Sequence, residues 1–348
     1  MKYKLIIVIS FLCLLDSNAQ LNFSKTNKSN IAIDKGYIKS EKDKIFDYLQ
    51  HKLPVKNPDK RKDQTTTSCL NQVNEKLKYL KQKPPSTIPQ IFAPDIISKE
   101  DEYEFGSVFN SDATEFFYGV AINGKEEIRY SKLVGDNWSK PKIILVHEKY
   151  GYNDPFLSPD ENRLYFISKR ALDGLGDPKD YDIWYVERFA NGWSEPINAG
   201  PKINSNNDEY YISFTYNGTM YFSSNKVGSN FDIYASKYEK GEFQKPVSLS
   251  DSINTLGYEA DVFIAPDESY IIFCGTRQDG LGRGDLYISF KNTDGTWSKS
   301  VNMGERINTK NHELCPFVSK DGKYFFYTSN QDIYWVDAKI LERYKRLK

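Results

Sequence analysis

The sequence predicts an all-β protein, specifically a five-bladed β-propeller of four-stranded antiparallel blades. Three observations predict it. The 348-residue chain is rich in Tyr (25) and Phe (21), a composition typical of strands. A short turn between two apolar strands recurs five times at spacings of 48, 57, 50 and 54 residues, and repeats near this length are typical of propellers. The last repeat lacks one strand, and a segment before the first repeat resembles it.

Each repeat is built around a two-residue turn, with an apolar strand before it and an aromatic strand after it. The turns are Asp112-Ala113, Asp160-Glu161, Asn217-Gly218, Asp267-Glu268 and Asp321-Gly322. A third strand begins with an acid and an apolar residue, at Glu127-Ile128, Asp182-Ile183, Asp232-Ile233, Asp285-Leu286 and Asp332-Ile333. A fourth strand follows an aromatic residue and a proline, best seen at Trp138–Pro141 and Trp193–Pro196. Four short antiparallel strands make one propeller blade.

The fifth repeat ends soon after Trp335 without a fourth strand, and residues Pro89–Ser98 resemble one. We therefore expect an N-terminal strand to complete the C-terminal blade, which would remove two open sheet edges. This places the propeller at residues 88–338 and leaves residues 339–348 as a C-terminal tail.

Residues 1–19 are typical of a signal peptide. Two lysines precede an apolar run over residues 5–15, and small residues favour cleavage before Gln20. The run is too short to span a bilayer as a helix. An N-terminal anchor, a buried helix or a lipoprotein modified at Cys13 are the alternatives. We expect a periplasmic or secreted protein without a transmembrane segment after cleavage.

Residues 20–87 predict a basic, partly helical leader. They carry 15 Lys and Arg against 7 Asp and Glu, a net charge of +8, whereas the chain after residue 87 has a net charge of −9. A capping box at Ser40 and Asp43 and an apolar stripe over Leu70–Leu80 favour two short helices. Either the leader is solvated, or its helices dock onto the acidic propeller.

Three cysteines remain after the signal peptide: Cys69, Cys274 and Cys315. Three cysteines cannot all pair internally, although an exported protein would permit one disulfide. Cys274 and Cys315 lie inside strand patterns. We therefore favour small buried hydrophobic roles for both over a disulfide.

The repeat resembles the WD-like repeat of the TolB family. The resemblance rests on Ser158-Pro159-Asp160, Leu164–Arg170 and Asp182-Ile183-Trp184, and on Ile-Asn before Glu at residues 203–209, 253–259 and 307–313. These phrases also resemble exported propeller proteins common in Bacteroidetes. The resemblance covers about residues 89–337. It implies a propeller that serves as an interaction platform, and it implies no particular activity.

Candidate ligand-binding residues recur eight positions before each turn. They are Glu104, Tyr152, Glu209, Glu259 and Glu313, at the start of the innermost strand. Because that strand lines the channel of a propeller, four carboxylates at one mouth could hold Ca²⁺ or a cationic ligand. The alternative, which we favour because the residue recurs with the repeat, is that each Glu accepts structural hydrogen bonds.

Arg170 and Arg277 follow their second strands at matching positions, with Lys226 as a near copy. They predict either ion pairs between blades or guanidinium groups that bind a carboxylate or sulfate. Two Gly- and Asp-rich loops, residues 173–177 and 279–284, fit either tight turns or Ca²⁺ loops. No other cofactor is indicated.

The function predicted is a monomeric, non-catalytic platform for an envelope protein or a glycan. Equal numbers of basic and acidic residues (47 each) do not indicate nucleic acid. The chain has 3 His and lacks the Gly-x-Ser-x-Gly and His-Glu-x-x-His motifs of hydrolases. The alternative is a five-bladed glycoside hydrolase or polysaccharide lyase that uses carboxylates at the channel mouth. Such an enzyme needs acids that stand apart from the repeat.

Overall fold

A computed structural model describes residues 75–225 and 230–346, all of them within one compact unit, residues 68–348. The predictions for the signal peptide, the Ser40 capping box, Cys69 and Lys226 lie outside the described residues. No helix in the described part of the chain is long and apolar enough to cross a membrane.

The predicted propeller is confirmed, with five antiparallel sheets that each contain four strands of a blade. The first strand of the chain is β1 (Gln90–Ile91). Blade 1 contains β2 (Tyr103–Phe109), β3 (Glu115–Ile122), β4 (Lys125–Val134) and β6 (Lys142–Leu145), with β5 (Asn137–Trp138) extending the edge of β4. Blade 2 contains β7 (Asn153–Leu157), β8 (Arg163–Ser168), β9 (Asp182–Phe189) and β11 (Ile197–Asn198), with β10 (Gly192–Trp193) beside β9.

The remaining blades follow the same order. Blade 3 contains β12 (Glu209–Phe214), β13 (Met220–Ser224), β14 (Asp232–Ser236) and β17 (Val247–Ser248), and a small hairpin of β15 (Tyr238–Glu239) and β16 (Glu242–Phe243) extends it. Blade 4 contains β18 (Tyr258–Ile264), β19 (Tyr270–Thr276), β20 (Asp285–Phe290) and β21 (Val301–Asn302). Blade 5 contains β22 (Leu314–Val318), β23 (Tyr324–Ser329), β24 (Asp332–Asp337) and β1.

The N-terminal strand closes the ring, as the sequence predicts. Gln90 pairs with Trp335 and Ile91 with Tyr334, antiparallel, on the outer edge of β24. Phe92 follows and is fully buried, since its ring packs against rings of both blade 1 and blade 5. One strand from the start of the domain therefore removes the open edge of the last blade.

The end of the leader packs on the propeller through Tyr79. Its hydroxyl donates to Asp321 Oδ1 at 2.8 Å, and its ring lies 5.0 Å from Phe109 and 4.7 Å from Tyr324. The predicted helix does not continue through Leu80, because residues Tyr79–Lys81 form a 3-10 turn with positive φ values of 49°, 54° and 57°. This backbone conformation directs the Tyr79 side chain toward aromatic residues of blades 5 and 1.

Part of the predicted C-terminal tail, residues 339–348, forms short helical turns. A 3-10 helix (Ala338–Leu341) leads into α1 (Glu342–Lys345). Ile340, Leu341 and Tyr344 are buried, and the Tyr344 hydroxyl donates to the Met303 carbonyl at 2.6 Å. The apolar side of this short segment therefore packs on blade 4.

Each innermost strand carries a β-bulge at the same position. Its residues are Gly106, Asp154, Tyr211, Asp261 and Cys315, all with positive φ between 44° and 55°, at the register shifts of the five strand pairs. These five residues are called the bulge ring. Non-glycine residues pay a conformational cost in this backbone region, and such strain concentrates at functional sites.

Beyond the bulge ring, aromatic side chains of three blades meet and narrow the channel. Phe317 lies 6.1 Å from Phe156 and 6.0 Å from Phe263, measured between ring centroids. This aromatic cluster lies toward the end where the five turns are found. The opposite end of the channel, where the innermost strands begin, is called the channel mouth.

Candidate functional site

The predicted glutamates begin the innermost strands and connect neighbouring blades through their backbone. In each case the N–H donates to a carbonyl at, or just before, the start of the third strand of the preceding blade. The bonds run from Glu104 to Gln331, Tyr152 to Glu126, Glu209 to Tyr181, Glu259 to Phe231 and Glu313 to Gly284, over 2.8–3.3 Å. The recurrence of this position therefore has a structural cause.

Three of the glutamate side chains are fully buried and bonded locally. Glu209, Glu259 and Glu313 each accept from the backbone N–H and the hydroxyl of a Ser or Thr four residues earlier. A further donor completes each set, and these donors are Ser224, Arg277 and Ser329 respectively. The recurring Ile-Asn-Ser/Thr phrase is thus the partner of the glutamate. A ligand role for these carboxylates stays a prediction.

Glu104 differs because the residue four positions earlier is Glu100 and not Ser or Thr. Glu104 Oε1 accepts from the Lys99 N–H at 3.2 Å, but Oε2 is buried without a hydrogen-bond partner. Burial raises the pKa of Glu104 to about 7, and the nearby carboxyls of Glu102 and Asp332 contribute. The fold therefore disfavours the ionised form of Glu104.

The two predicted arginines contact predicted residues of their own blades. Arg277 Nη2 lies 3.0 Å from Glu259 Oε1, and its guanidinium stacks 4.5 Å from the Tyr287 ring. Arg170 Nη1 donates to the Tyr152 hydroxyl at 3.1 Å. The predicted ion pair between blades is wrong, because the loop after the second strand returns to the start of the first strand of the same blade.

The bulge ring contains two aspartates that sequence reasoning missed. Asp154 in blade 2 and Asp261 in blade 4 are each 8% exposed. Burial, followed by repulsion from Asp261, holds the pKa of Asp154 well above its usual range. Burial also raises the pKa of Asp261 to about 7. Within residues 75–225 and 230–346, no lysine, arginine or histidine pairs with either carboxyl.

Neighbouring members of the bulge ring accommodate these two carboxyls. A Cβ at Gly106 would lie 2.9 Å from both Cα and Oδ1 of Asp154, so only glycine leaves room for Asp154. The Cys315 thiol donates to Asp154 Oδ1 at 3.5 Å, and the Cys315 N–H donates to Asp261. Cys274 and Cys315 are buried free thiols, as the favoured interpretation of the cysteines predicts.

An arc of aromatic rings surrounds the channel mouth. The ring centroids of Tyr181 and Tyr210 are 4.7 Å apart, those of Tyr210 and Phe231 5.1 Å, and those of Phe231 and Tyr258 5.5 Å. All four side chains are partly exposed. The pKa of Tyr210 is raised by burial, then by Tyr181, Asp208, Asp154 and Asp261. The arc therefore lies within electrostatic range of both channel carboxyls.

The channel mouth combines negative charge with aromatic faces. Glu126 and Asp208 add to its negative potential, since the first raises the pKa of Asp154 and the second that of Tyr181. Arg283 contributes positive charge nearby, since it acts to lower the pKa of Tyr103. Lys169 Nζ already lies 4.6 Å from the Tyr181 ring. Carboxylates and aromatic faces both attract ammonium and guanidinium groups.

A signal for Asp154 and Asp261 is present in the sequence two positions after the glutamate. When the repeats are aligned on their turns, that position reads Gly, Asp, Tyr, Asp and Cys. An acid inside a strand of otherwise apolar residues, and in only some of the repeats, indicates a local role that the fold does not require. The bulge that turns this residue toward the channel has no comparable sequence signal.

The Gly-rich loops use their acids for turns. In the first loop, Asp173 Oδ1 accepts the N–H groups of Leu175 and Gly176. In the second loop, the N–H groups of Leu281 and Gly282 donate to Asp285, which follows the loop as the first residue of β20. In the described ranges, no group of three or more His, Cys, Asp or Glu side chains is arranged to hold a metal ion. Binding of Ca²⁺ stays a prediction.

Comparison with known proteins finds likenesses among solved structures. No protein-family model matches the sequence, and no curated protein matches it. The chain is similar to TolB from Acinetobacter baumannii (14% identity, 69% of this chain, TM-score 0.45), and it spans 55% of that protein. It is also similar to a thermostable family-43 glycoside hydrolase (15%, 68% of this chain and 88% of that one, TM-score 0.47). A protein of unknown function from Dyadobacter fermentans is a third (13%, 73% and 83%, TM-score 0.46). At these values the likenesses carry no functional argument.

Proposed function

We propose that this chain is an exported, non-catalytic binding propeller that takes a lysine or arginine side chain of an envelope protein into its channel mouth. The observation that supports the proposal is the pair Asp154 and Asp261. Both carboxyls are buried in the bulge ring, and neither is paired with a basic side chain of residues 75–225 and 230–346.

The electrostatics of the pair favour a cation over a neutral or anionic ligand. A buried carboxylate is costly unless a positive charge compensates it. In the unliganded protein, protonation relieves that cost, since burial raises the pKa of Asp261 to about 7. A bound ammonium or guanidinium would replace the proton. Binding should therefore strengthen as the pH rises through 7 and release protons.

The aromatic arc favours an organic cation. Tyr181, Tyr210, Phe231 and Tyr258 present partly exposed rings at the rim. Ring faces stabilise alkylammonium and guanidinium groups, and they also pack against the methylene stem of Lys or Arg. The aromatic arc and the carboxyls of Asp154 and Asp261 together fit a side chain that is apolar along its length and positively charged at its end.

Calorimetry with capped hexapeptides tests the proposal. The mature protein would be titrated at pH 8 with peptides that carry Lys, Arg or norleucine at one central position in an otherwise Gly-Ser sequence. We expect Lys or Arg peptides to bind and the norleucine peptide not to bind. Asp154→Asn and Asp261→Asn should each weaken binding at least about tenfold, since each removes half of the compensating charge.

Asp112→Asn is the matched control, because Asp112 is an exposed acid at the opposite end of the propeller. If Asp112→Asn weakened peptide binding as much as Asp261→Asn does, the peptide would be attracted non-specifically to an acidic protein. That result would contradict the proposal. Equal binding of the norleucine peptide would also contradict it.

Glycoside cleavage is the second candidate function. Asp154 and Asp261 are acids that stand apart from the repeat, which is the feature that a five-bladed hydrolase or lyase needs. A reducing-end assay of the mature protein against a polysaccharide panel, run beside Asp154→Asn and Asp261→Asn, tests it. If the wild type released product and either substitution abolished that release, this function would be favoured over the binding propeller.

Export is part of the proposal and has its own test. The signal-peptide pattern of residues 1–19 supports a periplasmic or secreted location. Intact-mass measurement of the protein from its native host should give a chain that begins at Gln20. A mature chain that begins at Met1 would contradict export by this signal.

A further inference from the structure

The exposed aromatic side chains of the described residues all lie in one groove. In residues 75–225 and 230–346, only three Phe, Tyr or Trp side chains are exposed, namely Phe189 (61%), Tyr216 (70%) and Tyr238 (41%). All three line a groove of about 510 Å³ between blades 2 and 3. This volume falls in the range of about 300–1,000 Å³ of small-ligand sites. We call it the blade 2–3 groove.

The blade 2–3 groove has one polar wall and one aromatic wall. Arg163 and Glu187 of blade 2 form the polar wall, and Tyr216 and Tyr238 of blade 3 form the aromatic wall. Tyr165 lies between them, with its ring 5.0 Å from that of Phe214. A ligand in the groove therefore meets hydrogen-bonding groups and the Phe189 ring on the blade 2 side, and the rings of Tyr216 and Tyr238 on the blade 3 side.

The polar wall carries no net charge. Arg163 Nη2 lies 3.0 Å from Glu187 Oε1, and the two side chains are 36% and 40% exposed. The guanidinium also stacks 4.7 Å from the Tyr185 ring, which fixes its plane. A neutralised pair gives little attraction to phosphate or sulfate, yet it still presents donors and acceptors to hydroxyl groups.

The backbone at the groove is already used by the propeller. The N–H of Arg163 donates to Ser158 Oγ, that of Arg188 to the Asn162 carbonyl and that of Gly218 to the Thr215 carbonyl. Tyr238 pairs with Phe243 in the β15–β16 hairpin. Addition of a peptide strand needs free backbone groups along an edge, so this groove favours recognition through side chains.

We propose that the blade 2–3 groove binds a neutral oligosaccharide. The C–H faces of sugar rings would stack on Tyr216 and Tyr238, and their hydroxyl groups would bond to Arg163 and Glu187. The groove lies beside the turns at Asp160 and Asn217, whereas the channel mouth lies where the innermost strands begin. The proposal is therefore independent of the function proposed for the channel mouth.

Calorimetric titration of the mature protein tests the groove. The probes are cellohexaose, xylohexaose, mannohexaose and chitohexaose in its N-acetylated form, with hexagalacturonate as the acidic comparison. We expect at least one neutral hexasaccharide to bind, and hexagalacturonate to bind more weakly. Tyr216→Ala and Tyr238→Ala should each raise its Kd about tenfold, as expected when a central aromatic contact is lost. Tyr238→Phe should retain binding if ring stacking is the main contact.

Leu256→Ala is the matched control, because Leu256 is a 97% exposed apolar residue outside the groove. It should leave the Kd unchanged, as should Asp261→Asn at the channel mouth. The proposal would be overturned if none of the four neutral sugars bound. It would also be overturned if a sugar bound to the Tyr216→Ala and Tyr238→Ala variants as tightly as to the wild type. A concentration-dependent dimer that Tyr216→Ala dissociates would instead assign the groove to self-association and overturn it.

Discussion

The Cys315 thiol donates a hydrogen bond to Asp154 Oδ1 at 3.5 Å, although Cys315 belongs to blade 5 and Asp154 to blade 2. The N–H of the same cysteine donates to Asp261. One residue therefore connects both channel carboxyls. Its two hydrogen bonds lower the cost of ionising them only partly, since the pKa of each carboxyl remains raised.

The first prediction concerns pH and stability. The pKa of Asp261 is about 7 in the folded protein, against about 3.9 in an unfolded chain. The folded state therefore binds more protons between these values, and this group makes the free energy of unfolding fall as the pH rises from about 4 to 7. Asp261→Asn should be more stable than the wild type at pH 8, on the order of 2 kcal/mol, and similar at pH 4. Urea unfolding at both pH values measures this.

Asp160→Asn provides a control for which the expected change in the free energy of unfolding at pH 8 has the opposite sign. Burial opposes ionisation of Asp160, but hydrogen bonds from Ser158 and Asn162 outweigh it and lower its pKa. Its substitution should therefore reduce stability at pH 8. If Asp261→Asn also loses stability at pH 8, the burial cost assigned to the channel carboxyl is wrong.

The second prediction separates two glutamates at equivalent repeat positions. Glu259→Gln removes the ion pair with Arg277, and breaking such a buried pair should cost about 3 kcal/mol. Glu104→Gln removes a carboxyl whose pKa is about 7 and whose Oε2 has no partner. It should be neutral at about pH 4, increasingly stabilising as the pH rises toward 7, and stabilising at pH 8. Equal losses for the two variants at pH 8 would contradict this.

The third prediction concerns the contact of Tyr79 with blades 5 and 1. Tyr79 is 5% exposed, and Tyr79→Ala should lower the free energy of unfolding by about 3 kcal/mol, as aromatic truncations in cores do. Tyr79→Phe, which loses only the bond to Asp321, should cost about 1 kcal/mol. Guanidinium unfolding measures both. A Tyr79→Ala variant as stable as the wild type would mean that the leader does not contribute to closure.

The fourth prediction concerns Ca²⁺. Because the carboxylates of Glu209, Glu259 and Glu313 already accept three hydrogen bonds each or more, we expect Ca²⁺ and EDTA to leave the melting temperature unchanged. A bound metal at about 100 times its Kd would add about 2.7 kcal/mol to the free energy of unfolding. If Ca²⁺ raised the Tm of the wild type but not that of Asp154→Asn, a metal site would be assigned to the channel mouth instead.

The blades and the closing strand could be predicted from the sequence because both follow from local patterns. The turns at Asn217-Gly218 and Asp321-Gly322 mark hairpins by their residues alone, and in the structure Gly218 and Gly322 have positive φ values of 85° and 69°. The missing outer strand of the last repeat predicts the partner of Trp335. Strand pairing depends on these patterns, so the ring follows from them.

The candidate site could be predicted only in part. The glutamate position was identified by its recurrence, but recurrence follows from the bonds between neighbouring blades, such as that from the Glu209 N–H to the Tyr181 carbonyl. The orientation of Asp154 and Asp261 depends on a bulge that shifts the register by one residue. The blade 2–3 groove brings Arg163 and Tyr238 together from different blades, which no repeat within one blade indicates.

Closure of the ring by β1 also has a consequence for biosynthesis. Gln90 and its partner Trp335 are 245 positions apart, so blade 5 remains incomplete until β24 has been made. Contacts of such long sequence separation form slowly. The newly made chain therefore presents unpaired edges of β1 and β24 until these two strands meet, and proteases and chaperones would bind this protein chiefly in that interval.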